Sequence, residues 1–369
     1  MKQFKLAVLS DIHLGHKRTS TIEIIKNLRK ALPDDSQTAE LDMVVLAGDV
    51  FDGLLTLPQD EVSDIDAWIA HLLRLCKKHD IMLRVLEGTP SHDWKQSERF
   101  VTMNEAGQIG ADLRYVKELS IEYVQQHDIH LLYVPDELPG GPEKTLEHVQ
   151  SLLKARGLSQ VDFAFMHGQF EYQLPEHIKA PKHSSLDYLQ LVKHLVFIGH
   201  VHTHSRFERI IAQGSFDRLS HGEEGPKGHV RATVWEDGTA DVVFVENPGA
   251  KLYKTVNCSG LDLDETLTRV DDYAKELPPG SHVRVLGDPD NPVFSSMEAL
   301  VRLHPLLIWS KKVNEVQAEV TVDEVLQESY TPITLTRDNL ESILLERMAN
   351  SGVDGVALAA SQRILADCL

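Results

Sequence analysis

Val44-Val45-Leu46-Ala47-Gly48-Asp49-Val50-Phe51-Asp52 sets four apolar residues directly against a glycine and two carboxylates. An unbroken apolar run of this length reads as a parallel strand buried on both faces. Gly48 frees the backbone for a tight turn where the strand ends, and the acids follow at once. The same grammar recurs four times. Residues 4–9 run into Asp11-Ile12-His13, residues 82–86 lead to Ser91-His92-Asp93, residues 163–166 stop at His167-Gly168, and residues 195–198 stop at Gly199-His200-Val201-His202. In open α/β sheets ligands gather beyond the carboxyl ends of the strands. Five segments far apart in sequence are therefore expected to meet at one site.

Working outward, apolar runs at 4–9, 43–47, 82–86, 129–134, 163–166 and 195–198 alternate with helical patterns near 20–31, 61–79, 94–106, 143–156 and 185–193. That alternation predicts an α/β (α+β) fold of layered sheets and helices. Val230–Trp235, the turn Glu236-Asp237-Gly238 and residues 240–245 read as a hairpin expected to close a second sheet. Asn247-Pro248-Gly249 marks a boundary. Beyond it a smaller α/β unit is predicted over 250–330, with strands near 252–256, 282–286 and 315–321 and helices near 263–277 and 295–303. Terminal helices are predicted within 335–369. There Leu340, Ile343, Leu344 and Met348 form an apolar stripe that either packs on its own domain or docks another protein.

The 369 residues carry a formal net charge of −19 and 42% hydrophobic residues, which suits a globular core. At long range such a chain repels nucleic acid and anionic membrane. A polyanionic substrate must be met by a local basic patch, bound metals or a partner. Cys76, Cys258 and Cys368 are scattered thiols without a CxxC pair and are expected to be reduced. With no leader pattern and no apolar run near the roughly 20 residues of a membrane span, a soluble cytoplasmic protein is expected.

The chemistry lies in the strand-end residues. In an extended chain Asp11 and His13 would point the same way and could share a cation. A carboxylate such as Asp49 has two oxygens and can bridge two cations. His167, His200 and His202 add neutral imidazoles, which suit Zn, Mn or Fe better than Mg or Ca. Two Asp and four His at strand ends exceed what packing explains.

The order DxH, GDxxD, a G…HD turn, HG and GHxH over residues 11–204 resembles the calcineurin-like metallophosphoesterases. Gly48-Asp49-Val50-Phe51-Asp52, the segment Gly214-Ser215-Phe216-Asp217-Arg218-Leu219-Ser220 followed by Lys227-Gly228, and the small unit after the core resemble the SbcD-type branch of double-strand-break repair nucleases; the variant third motif suggests a phage-borne relative. The resemblance implies a four-layer metallophosphoesterase sandwich of two β-sheets flanked by helices over 1–247, with an α/β capping domain after it. It implies two divalent metal ions, Mn foremost and Zn, Fe or Mg as alternatives. Asp11, His13 and His202 would hold the first, His167 and His200 the second, and Asp49 would bridge them. His92 would face the substrate phosphate and protonate the leaving group while a hydroxide between the metals attacks in line, with Asp52 or Asp93 orienting it. The family's third motif places an Asn ligand before the histidine. Here Gly88-Thr89-Pro90-Ser91-His92-Asp93 has none, and Ser91 or Thr89 takes its place depending on the direction of counting.

No GxxxxGK[ST] loop is present, so the chain supplies no ATPase of its own. The branch implies DNA as substrate, exo/endonuclease activity in repair or recombination, and a separate coiled-coil ATPase of SbcC type. It also implies a homodimer through helices 61–79 and 94–106, where Ile65, Trp68, Ile69, Leu72, Leu73 and Cys76, with Phe100 and Met103, form an apolar face that burial within the monomer would equally explain. The alternatives are a phosphatase or nucleotide phosphodiesterase with no DNA role, and a scaffold that kept the fold. His204, and the basic residues His16-Lys17-Arg18, Lys179, Lys182-His183, Arg206 and Arg209, are open between solvated surface and substrate contact.

Overall fold

A computed structural model describes residues 3–56, 60–136, 140–175 and 177–314. The predicted strand near 315–321, the terminal helices with Leu340, Ile343, Leu344 and Met348, and Cys368 lie outside the described residues.

The strands in chain order are β1 (Gln3–Leu9), β2 (Met43–Ala47), β3 (Met82–Leu86), β4 (Leu113–Val116), β5 (Ser120–Val124), β6 (Ile129–Val134), β7 (Val161–Gly168), β8 (Val192–His200), β9 (Ser205–Phe207), β10 (Ile210–Ala212), β11 (Gly228–Trp235), β12 (Ala240–Glu246), β13 (Tyr253–Asn257), β14 (His282–Gly287) and β15 (Ile308–Val313). The helices are α1 (Thr21–Ala31), α2 (Ser36–Ala39), α3 (Asp60–Lys78), α4 (Pro90–Asp93), α5 (Glu98–Ala106), α6 (Gly141–Ala155), α7 (Ser185–Leu191), α8 (Leu263–Lys275) and α9 (Met297–Leu303). One mixed sheet has the order β12-β11-β1-β2-β3-β4, another β5-β6-β7-β8-β10-β9, and a third, small and parallel, β13-β14-β15.

The two-residue period of a strand explains the layering. On β2, Met43, Val45 and Ala47 face the second sheet, where Tyr133, Phe163, Phe165 and Phe197 meet them. Val44 and Leu46 face the other way, onto Ile24 and Leu28 of α1 and Ile65, Ile69 and Leu72 of α3. The second sheet repeats the scheme: Ala164, Met166, Val196 and Ile198 pack on Val149 and Leu153 of α6 and Tyr188 of α7. The result is helix, sheet, sheet, helix. Both faces of the central strands are covered, so their sequences show no polar alternation.

One expectation needs correction. The hairpin of β11 and β12 does not close the second sheet. It extends the first, because β11 pairs antiparallel with β1, Leu6 opposite Ala232, and Val230, Ala232 and Val234 enter the core between the sheets. The second sheet is edged instead by β5 and by the short β9–β10 ribbon. The small unit also has the strand β15, which was not predicted from the sequence. Of the two readings left open for the apolar face of α3, burial within the chain accounts for it. Ile65, Trp68, Ile69, Leu72, Leu73 and Cys76 are all at most 2% exposed, with Trp68 edge-on to Phe100 at 6.0 Å. Side chains already out of water would add almost nothing to a two-fold interface at about 25 cal/mol per Å², so this stripe is no argument for a dimer.

Cys76 and Cys258 are buried and free, and burial pushes the Cys76 thiol up to about 12. Among the described residues no helix is long and apolar enough to cross a membrane.

β11 also carries a titration that couples to stability. His229 is buried and accepts a hydrogen bond from Arg231. Burial, helped by the Arg231 charge, pushes its imidazole down to about 3. The unfolded chain, with an ordinary value near 6.5, therefore binds the extra proton between those limits, and stability falls as pH drops through that window. We expect the urea midpoint to fall from pH 6.5 toward pH 4, and His229→Phe to flatten part of that slope. An unchanged slope in the variant would assign the acid limb to other groups.

Candidate metal centre

The loops after β1 and β2 are laced together by their backbones. Asp11 N–H donates to Gly48 O (3.1 Å), Ile12 and His13 N–H to Asp49 O (2.8 and 3.1 Å), and Leu14 N–H to Val50 O (2.9 Å). The chain here is not extended: Asp11, His13 and Asp49 sit at φ +50°, +54° and +50°. Left-handed backbone at a non-glycine costs about 1–2 kcal/mol each. It is what aims these side chains inward, so the convergence of Asp11 and His13 comes from a turn and not from strand alternation. At Gly48, itself at φ +87°, an added Cβ would lie 2.2 Å from His167 Nδ1, and at Gly88 it would lie 2.1 Å from the Asp49 backbone nitrogen.

Two ligand-type groups result. Asp11, His13 and His202 present donor atoms within 4.8 Å of one another, and Asp49, His167 and His200 do the same. In the first, His13 Nε2 faces His202 Nε2 at 3.2 Å, and His202 Nε2 lies 3.7 Å from Asp11 Oδ1. In the second, His167 Nε2 lies 3.3 Å from Asp49 Oδ1. The other oxygen of Asp49 turns to the first group, with Oδ2 3.9 Å from His13 Nε2. One carboxylate thus addresses both groups.

Outer partners fix the imidazole tautomers, as they do around metal ligands generally. His167 Nδ1–H donates to Ala47 O at 2.8 Å, leaving Nε2 for the centre. His13 Nδ1–H donates to Asp52 at 3.1 Å, and His202 Nδ1–H to Glu223 at 3.3 Å. Lys227 in turn neutralises Glu223 at 2.8 Å.

Electrostatics agree with a cage built for positive charge. Burial pushes the Asp49 carboxyl up, but His167, His13 and the Thr89 amide outweigh it and hold the group well below the usual carboxylate range. Burial alone would lower the His167 imidazole; Asp49 instead holds it up to about 10. Carboxylates mixed with imidazoles are a donor set that could hold a divalent metal ion.

The third motif resolves the choice between Ser91 and Thr89. Ser91 is exposed on α4, and its carbonyl accepts the Trp94 indole N–H. Thr89 Oγ1 instead reaches the second group, 3.2 Å from Asp49 Oδ2, 3.5 Å from His167 Nε2 and 3.4 Å from His200 Nδ1. The hydroxyl beside the second group is that of Thr89. We expect Thr89→Ala to weaken metal binding roughly tenfold at the second group and Ser91→Ala to leave calorimetric metal titrations unchanged; the opposite pattern would restore Ser91.

His92 lies at the lip of the first group. Its ring is edge-on to His13 with centroids 4.8 Å apart, its side chain is 35% exposed, and its buried Nδ1 has no hydrogen-bond partner among the described residues. His92, His13 and Asp52 also form a third close group, but His13 contributes its other ring nitrogen there. Asp52 Oδ1 is 3.9 Å from His92 Nδ1, so its hydrogen bond is to His13. Asp93 does not orient His92 at all. It is fully buried and accepts the backbone N–H groups of Asp49 (3.1 Å), Phe51 (3.0 Å) and Gly88 (2.7 Å), pinning the second motif to the third. Burial, with the Asp49 charge nearby, pushes it up to about 7.

Sequence reasoning missed Glu223, and Asp136, which accepts from Thr89 Oγ1 at 3.3 Å. Neither belongs to a motif. Asp136, Thr145, Gln169 and His183 line a cavity of about 560 Å³ that opens on Thr89 and His200. His204 is structural: its Nδ1–H donates to Ala212 O and its ring stacks on Phe244. Arg209 caps the carbonyls of Leu189, Val192 and Lys193.

No family model and no curated protein matches the chain. Among solved structures, the crystal structure of TT1561 of Thermus thermophilus aligns over 66% of this chain and 99% of its own, at 10% identity and a TM-score of 0.39. Another aligns over 66% of this chain and all of its own, at 12% identity and a TM-score of 0.41. Likenesses this weak carry no argument, and the fold and the site rest on the geometry of this chain.

Proposed function

We propose that this chain is a two-metal phosphodiester hydrolase. The observation that carries the reading is the Asp49 carboxylate, which turns one oxygen to each of two buried His/Asp groups. Bound there, a pair of divalent cations supplies an acidified water and the positive charge that an in-line displacement at phosphorus needs. The chain's own residues do the rest. Asp52 and Glu223 fix the tautomers of His13 and His202, and Asp93 holds the loops in register. His92, half-exposed beside the first group and outside both ligand sets, is placed to hand a proton to a departing oxygen.

Within that class we favour DNA, cleaved as an exo/endonuclease of SbcD type in partnership with a separate coiled-coil ATPase. The motif resemblance supports this, as does the small α/β unit with its own core of Val256, Val270, Val283, Val285 and Leu300, which a compact phosphatase does not need. The test is turnover with Mn of a nitrophenyl phosphodiester and of linear duplex DNA. Hydrolysis of both is expected. Small-diester turnover alone would favour the phosphatase or nucleotide phosphodiesterase reading. Inertness toward both, with two metals bound per chain, would sink the hydrolase reading.

A further inference from the structure

In a chain of formal charge −19, one cleft is lined by cations and imidazoles. Arg18, from the loop after the first motif, and His221 face His282 and Arg284 of β14 and Lys312 of β15 across a cavity of about 460 Å³, and no carboxylate among the described residues lines it; the neighbouring Lys311 instead sets its ammonium over the Phe294 ring. A polyanion repelled by the molecule as a whole would find its favourable field here.

The cleft is built, not merely charged. Its floor is Tyr253, stacked on His282 with centroids 4.2 Å apart and planes 4° from parallel, with His221 edge-on at 5.1 Å. The Tyr253 hydroxyl is fastened to Thr19 Oγ1 at 3.0 Å, and Arg218 reaches Ala250 O at 3.0 Å, so the small unit is tied to the core beside the cleft. Arg284 is oriented through Nη2, which donates to Thr255 Oγ1 at 3.0 Å. Its Nε and the His221 Nδ1 are buried without partners among the described residues. A buried donor left unmade is costly, and a guanidinium edge matches two oxygens of a phosphate. Burial, with the nearby Arg284, His282 and Arg18 and against the Glu224 carboxylate, pushes the His221 imidazole down to about 4.

We propose that this cleft is an anion site that takes phosphate groups of a phosphodiester or polyphosphate chain, independently of the metal centre. A DNA backbone and a soluble polyphosphate share that chemistry. The cleft's volume lies within the range of ordinary ligand pockets.

The test uses the full chain in excess chelator, so that the metal centre contributes nothing. The probes are a fluorescent duplex of about 30 base pairs, read by anisotropy across a salt series, and tripolyphosphate, read by calorimetry. The variants are Arg18→Gln combined with Lys312→Gln, both on exposed side chains, and separately Arg284→Lys, which keeps the charge but loses the fork. The double variant should weaken DNA binding roughly tenfold at low salt and lower the slope of log K against log salt by about two, since each lost phosphate contact removes about 0.9. Arg284→Lys should weaken binding without that change of slope. Loss of DNA binding identifies the nucleic-acid backbone as the occupant, and loss confined to tripolyphosphate identifies a soluble polyphosphate. Equal binding of both probes by wild type and variants, or no binding by wild type, overturns the site. Turnover of the nitrophenyl diester with Mn should stay at the wild-type level in all variants. If the wild type itself is inert there yet binds DNA in chelator, the hydrolase reading fails while this site stands.

Discussion

Asp49→Asn should lower phosphodiester turnover by about a thousandfold or more, the rate equivalent of roughly 4 kcal/mol, and should reduce bound metal from two ions per chain. The substitution is chosen because almost everything else survives it. Asn tolerates the left-handed backbone at φ +50° that this position requires. It keeps an oxygen for the Thr89 amide, now at 2.6 Å from Asp49 Oδ1, and it leaves the buried Asp93 bonds to the backbone untouched. What it removes is the negative charge and the second bridging oxygen. A metal-free readout accompanies the kinetic one. Asp49 holds the His167 imidazole up to about 10 against its burial. In the Asn variant that support is gone, and His167 should titrate well below that value by NMR. Near-wild-type turnover with Mn would rule out the two-metal reading. An unshifted His167 would show that Asp49 is not its partner in solution.

How much of this was legible in the sequence follows from what kind of information each feature needs. The strand ends were legible because a buried parallel strand is a continuous apolar run and its stop is local. Asp11, His13, Asp49, His167, His200 and His202 therefore stood out as strand-end residues, while their division into two groups was what the motif resemblance implied. The hairpin of β11 and β12 was legible as a hairpin, but its pairing with β1 was not. That partner lies more than 200 residues away, and alternation says only which face is apolar. The stripe on α3 shows the same limit: periodicity reveals that a face will be buried, not whether the chain's own sheet or a partner buries it. Arg84 is the converse case. A charge in a buried strand looks like an error until Glu122 on the other sheet appears opposite it at 2.8 Å.

The third motif failed for a different reason. Adjacency in sequence suggested that Asp93 serves His92. On a helical turn neighbours i and i+1 point in different directions, so His92 stays half-exposed beside His13 while Asp93 looks in to the backbone of Asp49, Phe51 and Gly88. Counting also could not decide between Ser91 and Thr89, because the insertion forms the short helix α4. That helix carries Ser91 to the surface and leaves Thr89 at its entrance, against the second group. Glu223 reaches His202 through a loop with no motif spacing.

His92→Ala should cost roughly 10²–10⁴ in rate while metal content stays at the wild-type level, because His92 stands outside both ligand sets. The size of the loss should depend on the leaving group. A nitrophenolate departs readily without a proton, so the chromogenic diester should lose little. The alkoxide leaving from DNA, or from an alkyl diester, needs the proton and should show the full loss. The alkaline limb of the pH–rate profile, which reports the proton donor, should disappear in the variant for the alkyl substrate. A merely structural His92 would instead lower both substrates alike and leave the profile's shape intact. The third close group, of His13, Asp52 and His92, supplies the rival outcome. If His92 holds a metal there, the Ala variant loses metal in parallel with rate for every leaving group, and His92 moves from proton donor to ligand. His13 argues for the first result. Its Nδ1 is committed to Asp52 at 3.1 Å and its Nε2 to the first group, so it has no ring nitrogen left to share with a cation at His92.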